Sequence, residues 1–300
     1  MPAFADRLAA AVTAARTPLV VGIDPRWEQL PDRLRTEDSP VGRADAYRRF
    51  SLGVIEAVAG VAAAVKPQAA FFEELGPPGA QALAEVIAAA RASGLPVILD
   101  AKRNDIGSTA TAYARGMLGH ESAWGADALT VSPYLGDDSL TPFVETAIER
   151  DAGIFVLVKT SNPGGALWQD ALIDSRPLYR HVGEHVESLA AQSAAECGYG
   201  AVGAVAGATY PEQLAELREA MPHTWFLVPG FGAQGGSADD VAGAFDERGL
   251  GAIVNSSRGV IFAHNRPEYE SLAGNGWQAA VHQAARDASD QLAAAAGLRT

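Results

Sequence analysis

Eight short and almost uninterrupted apolar runs punctuate the chain: Leu19–Ile23, Val61–Val65, Val97–Asp100, Ala126–Val131, Gly153–Val158, Ala201–Ala206, Trp225–Val228 and Gly251–Val254. A strand with one wet face alternates apolar and polar residues. A continuous run instead suits a strand of a parallel sheet that is covered on both faces. Helical patterns fill the intervals. Residues 44–59 carry Phe50, Val54 and Val58 on one face, and 80–93 carry Leu83, Val86, Ile87 and Ala90 before a stop at Gly94. Residues 108–118 can be helical, Leu140, Phe143, Val144 and Ile148 mark another helix, and a further one ends near Glu196. Thr209-x-x-Glu212 reads as a capping box ahead of Leu214, Leu217 and Met221, and Ser237-x-x-Asp240 opens a helix with Val241 and Phe245. A last helical region runs to about Leu292, and an Ala-rich amphipathic helix over 3–15 precedes the first strand. Eight strand–helix units in 300 residues predict an α/β fold of the TIM (β/α)8 barrel type, with a doubly wound open sheet as the alternative. No repeat or low-complexity linker divides the chain, so residues 1–300 read as a single domain with long connections at about 25–43 and 162–177.

Composition narrows the function. Hydrophobic residues make up 48% of the chain, which is ample for one large core. A net charge of −13 argues against non-specific nucleic-acid binding and against a basic membrane anchor, while leaving room for a local basic pocket. The single cysteine, Cys197, cannot form an intrachain disulfide and reads as a small buried hydrophobe. The N-terminal segment lacks a basic region followed by an apolar core, and no apolar run approaches a membrane span, so the expected location is cytoplasmic.

Polar residues gather where the apolar runs end: Asp24, Lys66, Asp100 and Lys102, Ser132, Lys159 to Ser161, Gln234 and Arg258. In a TIM barrel the C-terminal ends of the strands carry the active site. The densest group follows the third run, where Asp100, Lys102, Arg103 and Asp105 fall within six residues. Charges so close to a core strand are costly unless they have a task. On an extended strand Asp100 and Lys102, two apart, share a face. After the seventh and eighth runs come Pro229-Gly-Phe-Gly-Ala-Gln-Gly-Gly236 and Asn255-Ser-Ser-Arg-Gly259. Such glycines admit backbone N–H groups to an anion, and Arg258 can pair bidentately with a phosphate. Two other matches carry less. Gly230-Phe-Gly232-Ala-Gln-Gly235 fits the dinucleotide fingerprint but lies late in the chain, with no second βαβ half bearing a ribose-binding acid after it. His181-Val-Gly-Glu184-His185 fits an inverted zinc-protease pattern but sits in an outer helix without a third ligand.

Taken together, Gly22-Ile-Asp24-Pro25, Val65-Lys66-Pro67, Asp100-Ala-Lys-Arg-Asn-Asp-Ile-Gly-Ser-Thr109, Pro133-Tyr-Leu-Gly136, Lys159-Thr-Ser-Asn-Pro-Gly164 and the two glycine loops resemble the orotidine 5'-monophosphate decarboxylase family in its longer bacterial form. The D-x-K-x-x-D core alone is shared with related sugar-phosphate enzymes; the surrounding K-R-x-D-I-G-S-T and the G-A-Q-G-G loop are more specific. Asn104 stands where a glycine is common, at a position outside the motif. The resemblance implies conversion of orotidine 5'-monophosphate to UMP and carbon dioxide, with neither metal nor organic cofactor. It implies a charge array of Lys66, Asp100, Lys102 and Asp105, with Lys102 as proton donor. It places Asp24 and Lys66 on the ribose, Ser161 on the pyrimidine, and Gln234, Gly235, Arg258 and Gly259 on the phosphate. It also implies a homodimer with shared active sites, in which Asp105 and Thr109 serve the neighbouring subunit. Two other readings stay open on the residues alone: a magnesium-dependent sugar-phosphate enzyme acting through an enediolate, and a phosphate-binding barrel without turnover.

Overall fold

The structure, a computed structural model of the chain, describes residues 1–209, 211–232 and 236–298. Eight parallel strands form its centre: β1 (Leu19–Ile23), β2 (Ala64–Pro67), β3 (Ile98–Arg103), β4 (Ala128–Val131), β5 (Gly153–Lys159), β8 (Val202–Ala206), β9 (Phe226–Val228) and β10 (Ala252–Ser256). Two short strands between β5 and β8, β6 (Leu172–Ile173) and β7 (Arg176–Pro177), form a small antiparallel hairpin outside the barrel. Hydrogen-bonded neighbours run in the order β2, β1, β10, β9, β8, β5, β4, β3. The ring is completed between β2 and β3 by two isolated bridges, Val65 to Val97 and Gln68 to Asp100. The sheet is thus the closed barrel expected from the apolar runs, and the open doubly wound alternative is excluded.

The period of two explains why those runs are continuous. Along β1, Leu19, Val21 and Ile23 face the surrounding helices, whereas Val20 faces the lumen. Both faces are buried, so both must be apolar. Val20, Ala64, Ile98, Ala128, Phe155, Trp225, Leu227 and Ile253 fill the lumen, small side chains beside large ones. The N-terminal helix Phe4–Ala15 closes the lower end with Phe4, Leu8 and Val12. The Phe4 ring meets Phe155 edge-on, and Arg7 pairs with Asp127, whose carboxylate also accepts from the Val97 N–H.

Differences from the sequence reading lie in the connections. Residues 25–43 hold two 3-10 turns, and the next helix starts at Pro40 rather than at about 44, because Ser39 caps it by accepting from the Gly42 N–H. A short helix, Ala69–Glu73, precedes the expected one, which starts at Pro77. The Ser237–Asp240 box forms as a cap, yet the following segment is a 3-10 helix, Asp239–Ala244, and Phe245 turns extended. The Thr209 hydroxyl donates to the Ser161 carbonyl across the cavity rim, and the expected Thr209–Glu212 capping box spans position 210, which lies outside the described residues. Within 162–177 lie a 3-10 turn, the helix Ala166–Gln169 and the β6–β7 hairpin, leaving Leu167, Trp168, Leu172 and Ile173 exposed. No helix among the described residues is long and apolar enough to cross a membrane.

Candidate active site

A cavity of about 520 Å³ opens at the C-terminal ends of the barrel strands. Its floor is the next lumen layer upward, two residues beyond the packed one. Ala64 leads to Lys66, Ile98 to Asp100, Ala128 to Thr130, Phe155 to Leu157 and Ile253 to Asn255, and each of these second residues lines the cavity with Asp24, Val205 and Leu227. Strands β2 to β4 therefore offer charge and a hydroxyl, whereas β5, β8 and β9 offer Leu157, Val205 and Leu227. At Gly22, in the same layer, a Cβ would lie 2.7 Å from that of Ser257. Its absence lets Ser257 reach Asp24.

Asp100 is the hub of the charged side. Lys66 Nζ donates to its Oδ2 at 2.5 Å, and Lys102 Nζ to its Oδ1 at 2.6 Å. The side chains of Lys66 and Asp100 are 6% and 9% exposed, whereas Lys102 is 48% exposed and reaches into the cavity. Burial pushes the Asp100 carboxyl upward, but Lys66 and Lys102 outweigh it and hold the group far below the usual carboxylate range. Burial likewise opposes charge on Lys66, and the negative charges of Asp100 and Asp24 reverse this, raising it above an ordinary lysine. A depressed Asp100 stabilises the fold above its unfolded value of about 4, and that contribution is lost as pH falls through the folded value. A raised Lys66 contributes fully below its unfolded value of about 10.5 and loses this as pH rises through the folded value. Both are constant between about pH 5 and 9. The Asp100 carboxyl carbon, assigned in NMR spectra through Asp100→Asn, is accordingly expected to show no titration down to about pH 4. A midpoint above that value contradicts the arrangement.

The strand does not present Lys102 as a plain extended residue. The β3–β4 register shifts between Leu99 and Arg103, and Lys102 adopts a left-handed φ of 46°. A bulge, rather than simple alternation, brings Lys102 back onto Asp100. The conformation costs a non-glycine residue about 1–3 kcal/mol. It is held by Thr130 on β4, whose Oγ1 accepts from the N–H groups of Ala101 at 3.0 Å and Lys102 at 2.9 Å and donates to Asp100 Oδ1 at 3.0 Å.

The other expected residues divide into four groups. Asp24 and Ser161 line the cavity. Asp24 Oδ2 accepts from the Ser257 hydroxyl at 2.6 Å, while its Oδ1, like Asn255 Oδ1, is buried without a hydrogen-bond partner among the described residues. Gly207 leaves room for the Ser161 backbone, which lies 3.0 Å from where a Cβ would stand. The same segment is tied down by Gln169, which accepts from Thr160 N at 3.0 Å and donates to Thr160 Oγ1 at 2.8 Å, and by the ion pair of Lys159 with Asp170. Arg258 follows the Ser257 that bonds Asp24; it is exposed at the start of the short helix Arg258–Ile261, and the Gly259 carbonyl accepts from Arg266. Neither residue lines the main cavity; Gly259 borders a smaller recess beside it. Asp105 and Thr109 are not brought into the cavity of their own chain. Asp105 accepts from the Ile106 N–H, and Thr109 is exposed beside a groove with Tyr113 and Trp124. Gln234 and Gly235 lie outside the described residues.

The sequence reading missed Thr130, Asn255, Gln68 and Gln169 as cavity residues. The first two each sit two residues past a lumen-facing position, a signal that appears once the strand register is known. The zinc-like motif dissolves into ordinary pairs. Glu184 binds Arg176 through both oxygens and His181 meets Arg176 and the Ile173 carbonyl, so these two fasten the β6–β7 hairpin to its helix, whereas His185 lies against Asp137 of the neighbouring helix Asp137–Glu149. No cluster of three potential metal ligands occurs among the described residues. Burial raises the Cys197 thiol to about 11, away from the cavity, which fits a structural residue.

Comparison with known proteins agrees with this fold. Residues 17–272 match the model of the orotidine 5'-phosphate decarboxylase / HUMPS family. An orotidine 5'-phosphate decarboxylase of Rhodopirellula baltica is 56% identical over 300 residues, covering 97% of this chain and 99% of the relative. One of Deinococcus radiodurans is 46% identical, covering 87% and 90%. Among solved structures, OMP decarboxylase of Leishmania donovani superposes with a TM-score of 0.77 at 36% identity, covering 98% and 99% of the two chains. With a family model spanning most of the barrel and relatives alike over nearly their whole length, the chain belongs to the orotidine 5'-phosphate decarboxylase / HUMPS family.

Proposed function

We infer that this protein decarboxylates orotidine 5'-monophosphate to UMP and carbon dioxide in pyrimidine biosynthesis, and we propose that Lys102 supplies the proton. The observation that carries the second part is the chain of contacts from Lys66 through Asp100 to Lys102 on the cavity floor. Breaking the bond from C6 to its carboxylate leaves an electron pair on a carbon with no carbonyl placed to delocalise it well. An ammonium fixed beside C6 stabilises that charge and then transfers a proton to it. Asp100 holds the Lys102 ammonium in position, and Lys66 balances Asp100. Solvent can restore the proton, since Lys102 is the exposed member of the three.

The remaining assignments follow the same layout. Asp24, with a buried oxygen on the cavity wall that has no hydrogen-bond partner among the described residues, and Lys66 are assigned to the ribose hydroxyls. Ser161, beside the apolar residues Leu157, Val205 and Leu227, is assigned to the pyrimidine. Arg258, Gly259, Gln234 and Gly235 are assigned to the phosphate, whose remote binding energy serves to order the loops and exclude water. Asp105 and Thr109 are assigned to the active site of a partner subunit, a reading supported by their position outside the cavity of their own chain. The working protein is then a homodimer and, with no long apolar helix among the described residues, is proposed to act in the cytoplasm.

The test is a spectrophotometric assay on purified protein treated with chelator. Turnover of orotidine 5'-monophosphate is expected to persist. Its absence, together with chelator-sensitive turnover of a ketose phosphate, would move the chain to the sugar-phosphate branch of the family.

A further inference from the structure

We propose that Thr130 is a positioning residue for the decarboxylation, its hydroxyl setting both the place of Lys102 and the orientation of Asp100. The inference rests on the reading of Lys102 as proton donor. A threonine hydroxyl has two acceptor sites and one proton to donate. Both acceptor sites are occupied by backbone: the N–H groups of Ala101 and Lys102, successive residues of the β3 bulge, converge on Oγ1 at 3.0 and 2.9 Å. The hydroxyl proton is then left to a third partner, and the atom in reach is Asp100 Oδ1 at 3.0 Å. That oxygen also accepts from Lys102 Nζ. One buried side chain therefore contacts the reacting group from both ends: it grips the backbone of Lys102 in its left-handed conformation, and it steadies the carboxylate that holds the ammonium.

The direction of these bonds has a chemical consequence. With its lone pairs engaged, Thr130 has only a proton to offer Asp100, so it is matched to the ionised carboxylate. Valine has nearly the same shape but offers neither acceptor nor donor. It would leave two N–H groups of the bulge without their partner and remove one of the two bonds to Asp100 Oδ1. Serine keeps the hydroxyl and loses only a methyl group.

Thr130→Val is expected to lower kcat by about 10- to 100-fold, because small misplacement of a reacting group is costly, while UMP affinity changes by less than about twofold. Thr130→Ser is expected to restore most of the lost turnover. UMP binding is read by calorimetry, folding by urea denaturation, and Lys102→Ala is assayed in parallel. A general loosening of the barrel would weaken UMP binding along with turnover and leave serine no better than valine; either result overturns the proposal, as does a folded Thr130→Val with kcat within about twofold of the parent. If Thr130→Val does not fold, Thr130→Ser carries the test, and a loss of more than about tenfold in kcat with UMP still bound overturns it. Should Lys102→Ala itself retain turnover, the Lys102 reading fails; if Lys102→Ala is inactive and Thr130→Val is not impaired, only the present inference fails.

Discussion

Lys102→Ala is expected to lose turnover by about 10⁴-fold or more, ~5 kcal/mol on the barrier, while the protein still folds and binds UMP. Two contributions disappear together: the positive charge facing the developing electron pair at C6, and the proton that quenches it. Binding is spared because Arg258 and Gly259, assigned to the phosphate, follow β10, which is not a neighbour of β3 in the barrel. The fold is spared because Lys102 is half exposed, and Asp100 keeps Lys66 and Thr130 as partners after the change. Calorimetry with UMP and a stopped assay on orotidine 5'-monophosphate measure the two halves separately. Full activity in this variant would remove Lys102 from the mechanism.

A 1:1 mixture of Asp105→Ala and Lys102→Ala chains is expected to regain about a quarter of the parental activity, although each variant alone is nearly inactive. In a two-fold symmetric dimer half of the randomly mixed dimers are heterodimers, and each rebuilds one of its two sites. The rebuilt site combines Lys102 from the Asp105→Ala chain with the Asp105 of its companion. The motivation is positional: Asp105 belongs to the same dense charged segment as Asp100 and Lys102, yet it lies outside the cavity that they form. Subunit exchange is confirmed with differently tagged chains. A mixture no more active than its parents, with exchange shown, would restrict each site to its own chain.

The barrel was legible because its strands are buried on both faces, which leaves an unusual mark: runs such as Leu19–Ile23 without a polar interruption. The charged end of β3 was legible because charge on a core strand is expensive. What escaped was whatever depends on register. Thr130 reads as one more residue of an apolar strand until Ala128 is known to face the lumen, after which it falls on the cavity floor. The β3 bulge has no glycine to announce it; Lys102 takes the left-handed conformation against its own preference, with Thr130 supplying the bonds that hold it. The short 3-10 helix after β9 was read as a full helix because the Ser237–Asp240 bonds form, and those bonds do not distinguish a 3-10 turn from an α-helix. Asp105 and Thr109 take their proposed meaning from a second chain, so neither spacing nor a single fold reveals it.

The closure of the barrel also bears on how the molecule carries load. Between β2 and β3 the backbone ladder thins to two isolated bridges. Across that gap runs the bond from Lys66 to Asp100, and the second bridge is made by the backbone of Asp100 itself. The two functions share one stitch: the ion pair that shapes the reacting centre also draws together the ring's most weakly laced pair of staves. Any breathing of the ring at this seam is felt directly as a change in spacing between the charges, so the rigidity of the hoop and the tuning of its chemistry cannot be adjusted independently.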